Sequence, residues 1–395
     1  MAKIMVIAGG SWQCPIVKTA KEMGHFVICS NLYEHSPAFE YADIGVVANV
    51  LDKERNLAIA KEYKPDAVLT EQSDIAVPTV AYVAEKLGLK GIGTNVASRF
   101  TNKYEMREYA KKAGVVMPRY RLCHTKAEAV SFFREVGGAG IIKPIDSQSS
   151  RGIHVICTEK DIEKNYEDCI QYSNAEKAIL VEEFIEGTEF TVDGLKTSSE
   201  YIVTAISEKD HYPYNPSVAN RLMFSEYSEQ FDYDRLRNEN RRMIEAMGLP
   251  FGLTHTEYKY RDGKFYLIET AARGGGTKIS SDITKIVSGI DCNRLYLNML
   301  TGGSEEIIRA KRHPYAILGF FDFKPGVIKE ISGVEEAMKC EGVHDLKLEI
   351  KVGDRLEHAQ DDRSRCGYYI LYADSAQELN ERERGLKERV KVITE

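Results

Sequence analysis

The sequence predicts a mixed α/β and α+β protein of several domains. Three observations predict it. Residues 1–95 alternate short apolar runs with helical stretches, the pattern of a parallel sheet flanked by helices. Residues 120 to about 300 hold strand-length runs that carry most of the chemically capable side chains. After about residue 305, short strands precede one charged helix, which reads as a smaller α+β domain. At 395 residues the chain is too long for one ordinary core and long enough for two or three domains.

Composition narrows the function classes. Hydrophobic residues are 43% and charged residues 29%, the balance of a soluble globular protein. A net charge of −7 argues against general nucleic-acid binding but allows a local basic pocket. The eight cysteines are scattered, without a CxxC pair or Cys/His cluster, which argues against zinc. MAKIMVIAGG runs directly into a strand pattern with no signal-peptide core. No apolar run approaches the about 18 residues that span a bilayer. The expectation is a cytoplasmic protein with reduced thiols and no membrane partner.

In order along the chain, residues 3–8 are a strand, Gly9-Gly10 a turn, residues 14–24 a helix and residues 25–29 a second strand. Residues 67–70 form another strand, followed by Glu71-Gln72-Ser73-Asp74, and residues 75–87 a helix that stops at Gly88. GGSWQC is not G-x-G-x-x-G, so a nicotinamide cofactor has weak support, with Glu34 as its one candidate acid. Both loops read either as ligand-binding loops at the carboxyl ends of strands or as ordinary turns.

Residues 95–120 form a connector. Thr101 or Asn102 caps a helix that runs to Ala113 and stops at Gly114. Lys103, in its first turn, opposes the helix dipole and needs solvent or an anion. Residues 140–144 are a strand bearing Lys143; residues 153–157 are its hairpin partner across a Ser- and Gly-rich tip. Such a tip either wraps phosphate oxygens with its N–H groups and hydroxyls or is a plain hairpin. Residues 179–184 are a strand ending in Glu182 and Glu183, and residues 189–193 restart a strand. Residues 210–218 read as an exposed Tyr/Pro-rich loop and residues 232–247 as a charged helix. Residues 313–324, 326–331, 344–352 and 366–372 are strands before a helix over residues 374–390. Lys351 and the stretch from Arg363 to Arg365 are near enough in type to lend cations to a cleft.

The most informative pair is Glu257 and Glu269, flanking an Arg261-Asp262-Gly263 turn signal. A three-residue loop with left-handed Gly263 pairs Tyr260 with Lys264 and puts both carboxylates on one strand face. A two-residue turn puts them on opposite faces. On one face they suit Mg²⁺, which is usually held by one or two carboxylates plus substrate phosphates. The alternative is a solvated strand face.

Taken in order, these elements resemble the ATP-grasp superfamily over nearly the whole chain. The likeness is to the subgroup of biotin carboxylase, the carbamoyl-phosphate synthetase halves and the purine enzymes that use formate or bicarbonate. The resemblance implies a pre-ATP-grasp α/β domain at 1–95 and an ATP-grasp domain at 96–305. The latter comprises a connector helix, a small lobe at about 120–185 and a large lobe at about 186–305. A C-terminal α+β domain at 306–395 completes it. Lys103 and Lys143 look like nucleotide-binding cations, Lys143 reaching the α- and β-phosphates. Gln148, Ser149, Ser150, Arg151, Gly152 and Ile153 look like the phosphate loop. Glu182, Glu183, Phe184 and Ile185 resemble the hinge whose backbone reads the adenine edge, and Glu189 the ribose-binding acid. Glu257 and Glu269 look like the magnesium ligands. Arg273 looks like the arginine of the acyl-phosphate region and, with Lys143, a catalytic residue.

Two positions depart from the family pattern: Ala271 stands where a further ligand, Asn, is frequent, and the phosphate loop has one glycine, Gly152. The function implied is an ATP-dependent ligase that activates a carboxylate as an acyl phosphate and couples it to an amine. ATP and Mg²⁺, or Mn²⁺, are the implied cofactors. Small-molecule carboxylates and amines are the implied partners, with no nucleic acid, and a homodimer is common in such families. The alternatives are a purine-type enzyme using formate or bicarbonate and a non-catalytic ATP-binding sensor.

Overall fold

The computed structural model describes residues 1–147, 151–174, 176–226 and 228–395. The N-terminal domain holds a four-stranded parallel sheet in the order Ile44–Val47, Phe26–Asn31, Lys3–Ile7, Ala67–Leu69. The four residues Ile4, Met5, Val6 and Ile7 are fully buried, as expected where helices cover both faces. Chain direction across this sheet reverses between Lys3–Ile7 and Ala67–Leu69. Ligands of open α/β sheets bind outside the carboxyl ends of strands at such a reversal. The two loops singled out in the sequence, after Ile7 and after Leu69, flank it.

The connector helix Lys103–Lys112 starts where Asn102 accepts from the N–H groups of Tyr104 and Glu105. The small lobe is an antiparallel sheet ordered Tyr120–Cys123, Ile179–Glu183, Gly140–Pro144, His154–Ile156. Helices Lys126–Val136 and Glu159–Gln171 pack on it through Phe132, Phe133, Ile162 and Tyr166.

The large lobe is built on an eight-stranded antiparallel sheet. Its order is Lys264–Ala271, Gly252–Arg261, Thr188–Lys196, Tyr201–Tyr212, Asn215–Phe224, Tyr315–Phe320, Gly367–Ala373, Val343–Leu348. The last three strands come from residues beyond 305, so one sheet runs through the boundary drawn there. A separate small sheet joins Arg355–Leu356, Gly326–Ser332 and Lys391–Thr394. Helix Tyr233–Met247, capped by Asp232 and stopped at left-handed Gly248, buries Leu236, Met243, Ile244 and Met247 against one face of the large sheet. Among the described residues no helix is long and apolar enough to cross a membrane.

Two local expectations are corrected. Residues 210–218 are not a loop: they extend two paired strands, Tyr201–Tyr212 and Asn215–Phe224. Tyr212 and Val218 are buried in the core, which holds the strands together to their tips. Pro216 falls where the ladder slips between His211↔Ala219 and Tyr212↔Asn215, so its missing N–H is tolerated. The second correction concerns the acidic hairpin. Its turn has two residues, Asp262 (φ 49°) and Gly263 (φ 75°), between paired Arg261 and Lys264. That turn alone would place Glu257 and Glu269 on opposite faces. The pairing then slips by one residue, because Tyr258 faces Leu267 while Glu257 faces Glu269. Ile268 is the extra residue of a β-bulge, and it returns the two carboxylates to one face.

Candidate active site

Residue alternation on three neighbouring strands builds a polar wall. Glu189, Thr191 and Asp193 lie opposite Lys259, Glu257 and His255 on one side and Lys209, Ser207 and Ala205 on the other. Directly paired residues of antiparallel strands share a face, so these side chains project together. The wall closes one side of a cleft of about 710 Å³. The far side is made by Ser11, Trp12, Gln72, Ser73 and Asp74 of the N-terminal domain, with Arg363, Arg365 and Tyr368 at the C-terminal end. Of the alternatives left open for the two N-terminal loops, the structure has them line this cleft.

The wall is a network of paired charges. Lys209 Nζ stands 2.6 Å from both Glu189 and Glu257. Burial alone would raise both carboxyls, but Lys209 holds Glu189 down to about 2 and Glu257 well below the usual range. His255 Nδ1–H donates to Asp193 Oδ1, 2.9 Å away, and its Nε2 lies 3.7 Å from Glu257. Glu269 is more exposed and meets Lys103 Nζ at 3.0 Å. Lys103 also donates to the Ser147 carbonyl at 2.7 Å, so an anion, not solvent, answers its unfavourable place in the helix.

Lys143 belongs to a second, buried knot. It lies 2.7 Å from Glu182, which also binds Arg107. Burial opposes ionisation of Glu182, yet the two cations bring it down to about 2. Arg107 in turn donates to the carbonyl of Ile268, the bulge residue, at 2.7 Å. The connector helix is thereby tied to the residue that sets the carboxylate register.

The hinge segment sits at the join between the lobes. The N–H groups of Glu183 and Phe184 donate to the carbonyls of Arg119 and Ala139. Those two N–H groups are therefore already engaged within the protein. Of the expected phosphate loop, Gln148, Ser149 and Ser150 lie outside the described residues. Arg151 lines the cleft, and Gly152 has φ 69° with Tyr172 and Pro144 where a Cβ would stand, so a larger residue would not fit. Ile153 is partly buried between that glycine and the following strand.

Arg273 lies in the cleft and makes a two-pronged ion pair with Asp74, both contacts 2.9 Å. Ala271 faces His255 across the ribbon. Beside Arg273, Glu71 is fully buried, bonded by Ser280 and, at 2.6 Å, by Gln72. Burial pushes its carboxyl up to about 8 despite those donors. The folded chain therefore binds this proton over a range where the unfolded chain has released it, so stability falls as pH rises from about 4.5 towards 8. In Glu71→Gln the amide oxygen still accepts from Gln72, while the NH₂ donates to Ser280 Oγ with that bond reversed, and no group there ionises. It should raise the thermal midpoint at pH 8 and flatten the decline between pH 5 and pH 8; a midpoint below that of the wild type at pH 8 would exclude this.

Sequence reasoning missed Lys209, His255, Asp193 and Arg107. Lys209 was readable only once residues 201–212 were known to be one strand, since Ser207, Lys209 and His211 then alternate. Asp193 and His255 are paired by sheet register, which leaves no short motif.

Comparisons with known proteins agree with this geometry. The family profile of the ATP-grasp domain matches residues 138–282, and that of the L-amino acid ligase C-terminal domain 2 matches residues 319–395. Formate-dependent phosphoribosylglycinamide formyltransferase of Trichormus variabilis is 28% identical over 186 residues, 46% of this chain and 47% of that protein. Alanine–anticapsin ligase of Bacillus subtilis is 27% identical over 274 residues, 64% of this chain and 57% of that protein. The chain spans about half to two thirds (47–64%) of the length of the first curated relatives it matches. The crystal structure of L-amino acid ligase from Bacillus licheniformis superimposes with a TM-score of 0.81 at 21% identity, covering 100% of this chain and 99% of that one. At that identity the likeness speaks for the fold. Residues 138–282 thus match an ATP-grasp domain, and the whole chain shares the fold of the L-amino acid ligase structure.

Proposed function

We propose that the protein is an ATP-dependent ligase that activates a carboxylate as an acyl phosphate and couples it to an amine, an amino acid or small metabolite, releasing ADP and phosphate. The observation that carries the reading is the direct opposition of Glu257 and Glu269 on one face of an antiparallel ribbon, with Lys103, Lys209 and Arg273 around them. Each carboxylate already attracts an ammonium group, and such a position also suits a divalent ion. Among the described residues no group of three or more acids, histidines or cysteines is arranged to hold a metal ion by itself. The donor set therefore suits Mg²⁺ completed by phosphate oxygens and water, the usual manner of its binding. Glu257 and Glu269 would hold the ion, which when bound supplies positive charge to the phosphates; Mn²⁺ would substitute.

The rest falls to the chain's own groups. Bringing a carboxylate to a triphosphate sets two anions together, so the reaction is helped mainly by fixed positive charge and positioning. Lys103 and Lys143 are held by neighbouring carboxylates, and Arg273 is held by Asp74, so each presents its charge without reorganisation. At the far end Trp12, Leu222, Phe320 and Tyr368 give the cleft an apolar wall. Arg365 lies over the Phe320 ring at 3.7 Å, and its buried Nε has no partner among the described residues. A substrate with an apolar body and an anionic end suits that wall. The reading is tested by phosphate release with ATP and Mg²⁺ across pooled amino acids and small carboxylic acids. Release that requires both a carboxylate and an amine is expected. Release indifferent to the pools, or none with any pool, overturns it.

A further inference from the structure

A second cavity, also of about 710 Å³, shares no lining residue with the cleft. It lies between helix Tyr233–Met247, the end of helix Thr284–Ser288 and the strap of residues 309–314. Four cations line it, Arg237, Arg309, Lys311 and Arg312, against one carboxylate, Glu226. Glu226 and Asp234 are both engaged with Arg237. Among the described residues, Arg309, Lys311 and Arg312 have no carboxylate within ion-pair distance, in a chain whose net charge is −7. Three neighbouring cations left without counter-charges repel one another, and a bound anion relieves that repulsion.

The cations stand on a fixed backbone. Ala310 N–H donates to the Gly289 carbonyl and His313 N–H to that of Ile286, both at 2.8 Å. Gly289 has φ 76°, and a Cβ there would come within 2.4 Å of the Ala310 carbonyl, so the strap lies as close as a glycine allows. Arg309 itself donates to the Ser288 carbonyl at 3.1 Å. Between the cations the floor is apolar, with Phe224, Ile206 and Pro314, and Ser225 adds a hydroxyl. The side chains of Arg309, Lys311 and Arg312 are exposed, and only Arg309 is tied down, but exposed cationic donors on a fixed backbone round an apolar floor suit a small phosphate-bearing molecule.

We propose that this cavity is a binding site for a small multivalent anion, a phosphorylated metabolite, separate from the cleft. Its walls lead back towards the cleft. Ser288, Thr284 and Ser280 are buried at intervals of four residues. Ser288 Oγ donates to the Thr284 carbonyl at 2.5 Å, Thr284 Oγ1 to the Ser280 carbonyl at 2.7 Å, and the Ser280 N–H to the Gly275 carbonyl at 3.4 Å. The glycine run beside Arg273 is thus joined by hydrogen bonds to the floor of the second cavity.

The test titrates inorganic pyrophosphate into the full chain by calorimetry, with a non-hydrolysable ATP analogue and Mg²⁺ present to fill the cleft. The wild type is compared with the variant Arg309→Gln, Lys311→Gln, Arg312→Gln. Wild type should bind one pyrophosphate that weakens with added salt, and the triple variant should bind it at least about tenfold more weakly, about 1.4 kcal/mol. The difference between the two proteins carries the test whether or not the analogue occupies the cleft. Arg309→Lys with Arg312→Lys keeps the charge and should keep the binding, which separates charge loss from misfolding. Hydrogen exchange at residues 279–289 should slow on pyrophosphate addition in the wild type and the charge-keeping variant but not in the triple Gln variant. Equal affinity in wild type and triple variant, no binding by wild type at millimolar pyrophosphate, or no added protection at residues 279–289 overturns the proposal.

Discussion

Glu269→Gln should abolish turnover while the protein stays folded. The substitution keeps the shape of a half-exposed side chain whose ion-pair partner, Lys103, retains its bond to the Ser147 carbonyl. Lys103 is buried but Glu269 is partly exposed, and the amide oxygen of Gln can still accept from Lys103, so the unfolding midpoint should fall only modestly. The reaction depends on that charge far more. Half of the carboxylate pair opposite Glu257 disappears, along with its contribution to holding a divalent ion against triphosphate. Loss of one electrostatic element of this kind costs about 10²–10³-fold in kcat, and a loss at the upper end is expected here. The measurement is ADP formation under saturating substrates, repeated over a range of Mg²⁺ concentration. Turnover close to wild type in a folded Glu269→Gln protein would remove the ribbon from the mechanism.

The largest effect on stability should come from Glu182→Ala. Glu182 is fully buried between Arg107, itself 1% exposed, and Lys143. Removing the carboxylate leaves two cations in the interior without a counter-charge, a change that costs about 3–5 kcal/mol. The damage should spread, because Arg107 also holds the carbonyl of Ile268. Denaturant unfolding reads the effect, and a loss under about 1 kcal/mol would contradict it. The pH dependence follows from the depressed carboxyl. Its folded value of about 2 lies below the ordinary 4.5, so its contribution is fully present above about pH 4.5 and fades as pH falls towards 2. The variant should lack that portion of the acid sensitivity.

Much of the fold was legible because its signals are local. Asn102 as a cap, Gly88 and Gly248 as helix stops, and the strand–helix alternation before residue 95 each depend on a few adjacent residues. The acidic hairpin marks where that legibility stops. The turn was placed correctly at Asp262-Gly263 but given one residue too many, and the bulge at Ile268 supplied the missing shift. Two errors cancelled, since Leu267, Ile268 and Glu269 look alike as strand formers whether or not one is extra. Glu71 shows the same limit from another side: its loop was readable, its complete burial was not, since that is set by Ser280 and the glycine run some two hundred residues later. Residues 210–218 were misread for the opposite reason. Two prolines and three tyrosine or histidine rings looked like loop chemistry, while the core contacts that make them strands come from residues 316–370.

The continuous eight-stranded sheet constrains how this architecture can be recombined. Tyr315–Phe320 pairs along Arg221–Phe224, and Gly367–Ala373 and Val343–Leu348 follow. A chain severed after the cleft-facing strands would leave a bare row of unmet amide and carbonyl groups beside Asn215–Phe224, an invitation to intermolecular pairing. Exchange of tails between relatives therefore has to carry those three strands as one inseparable piece.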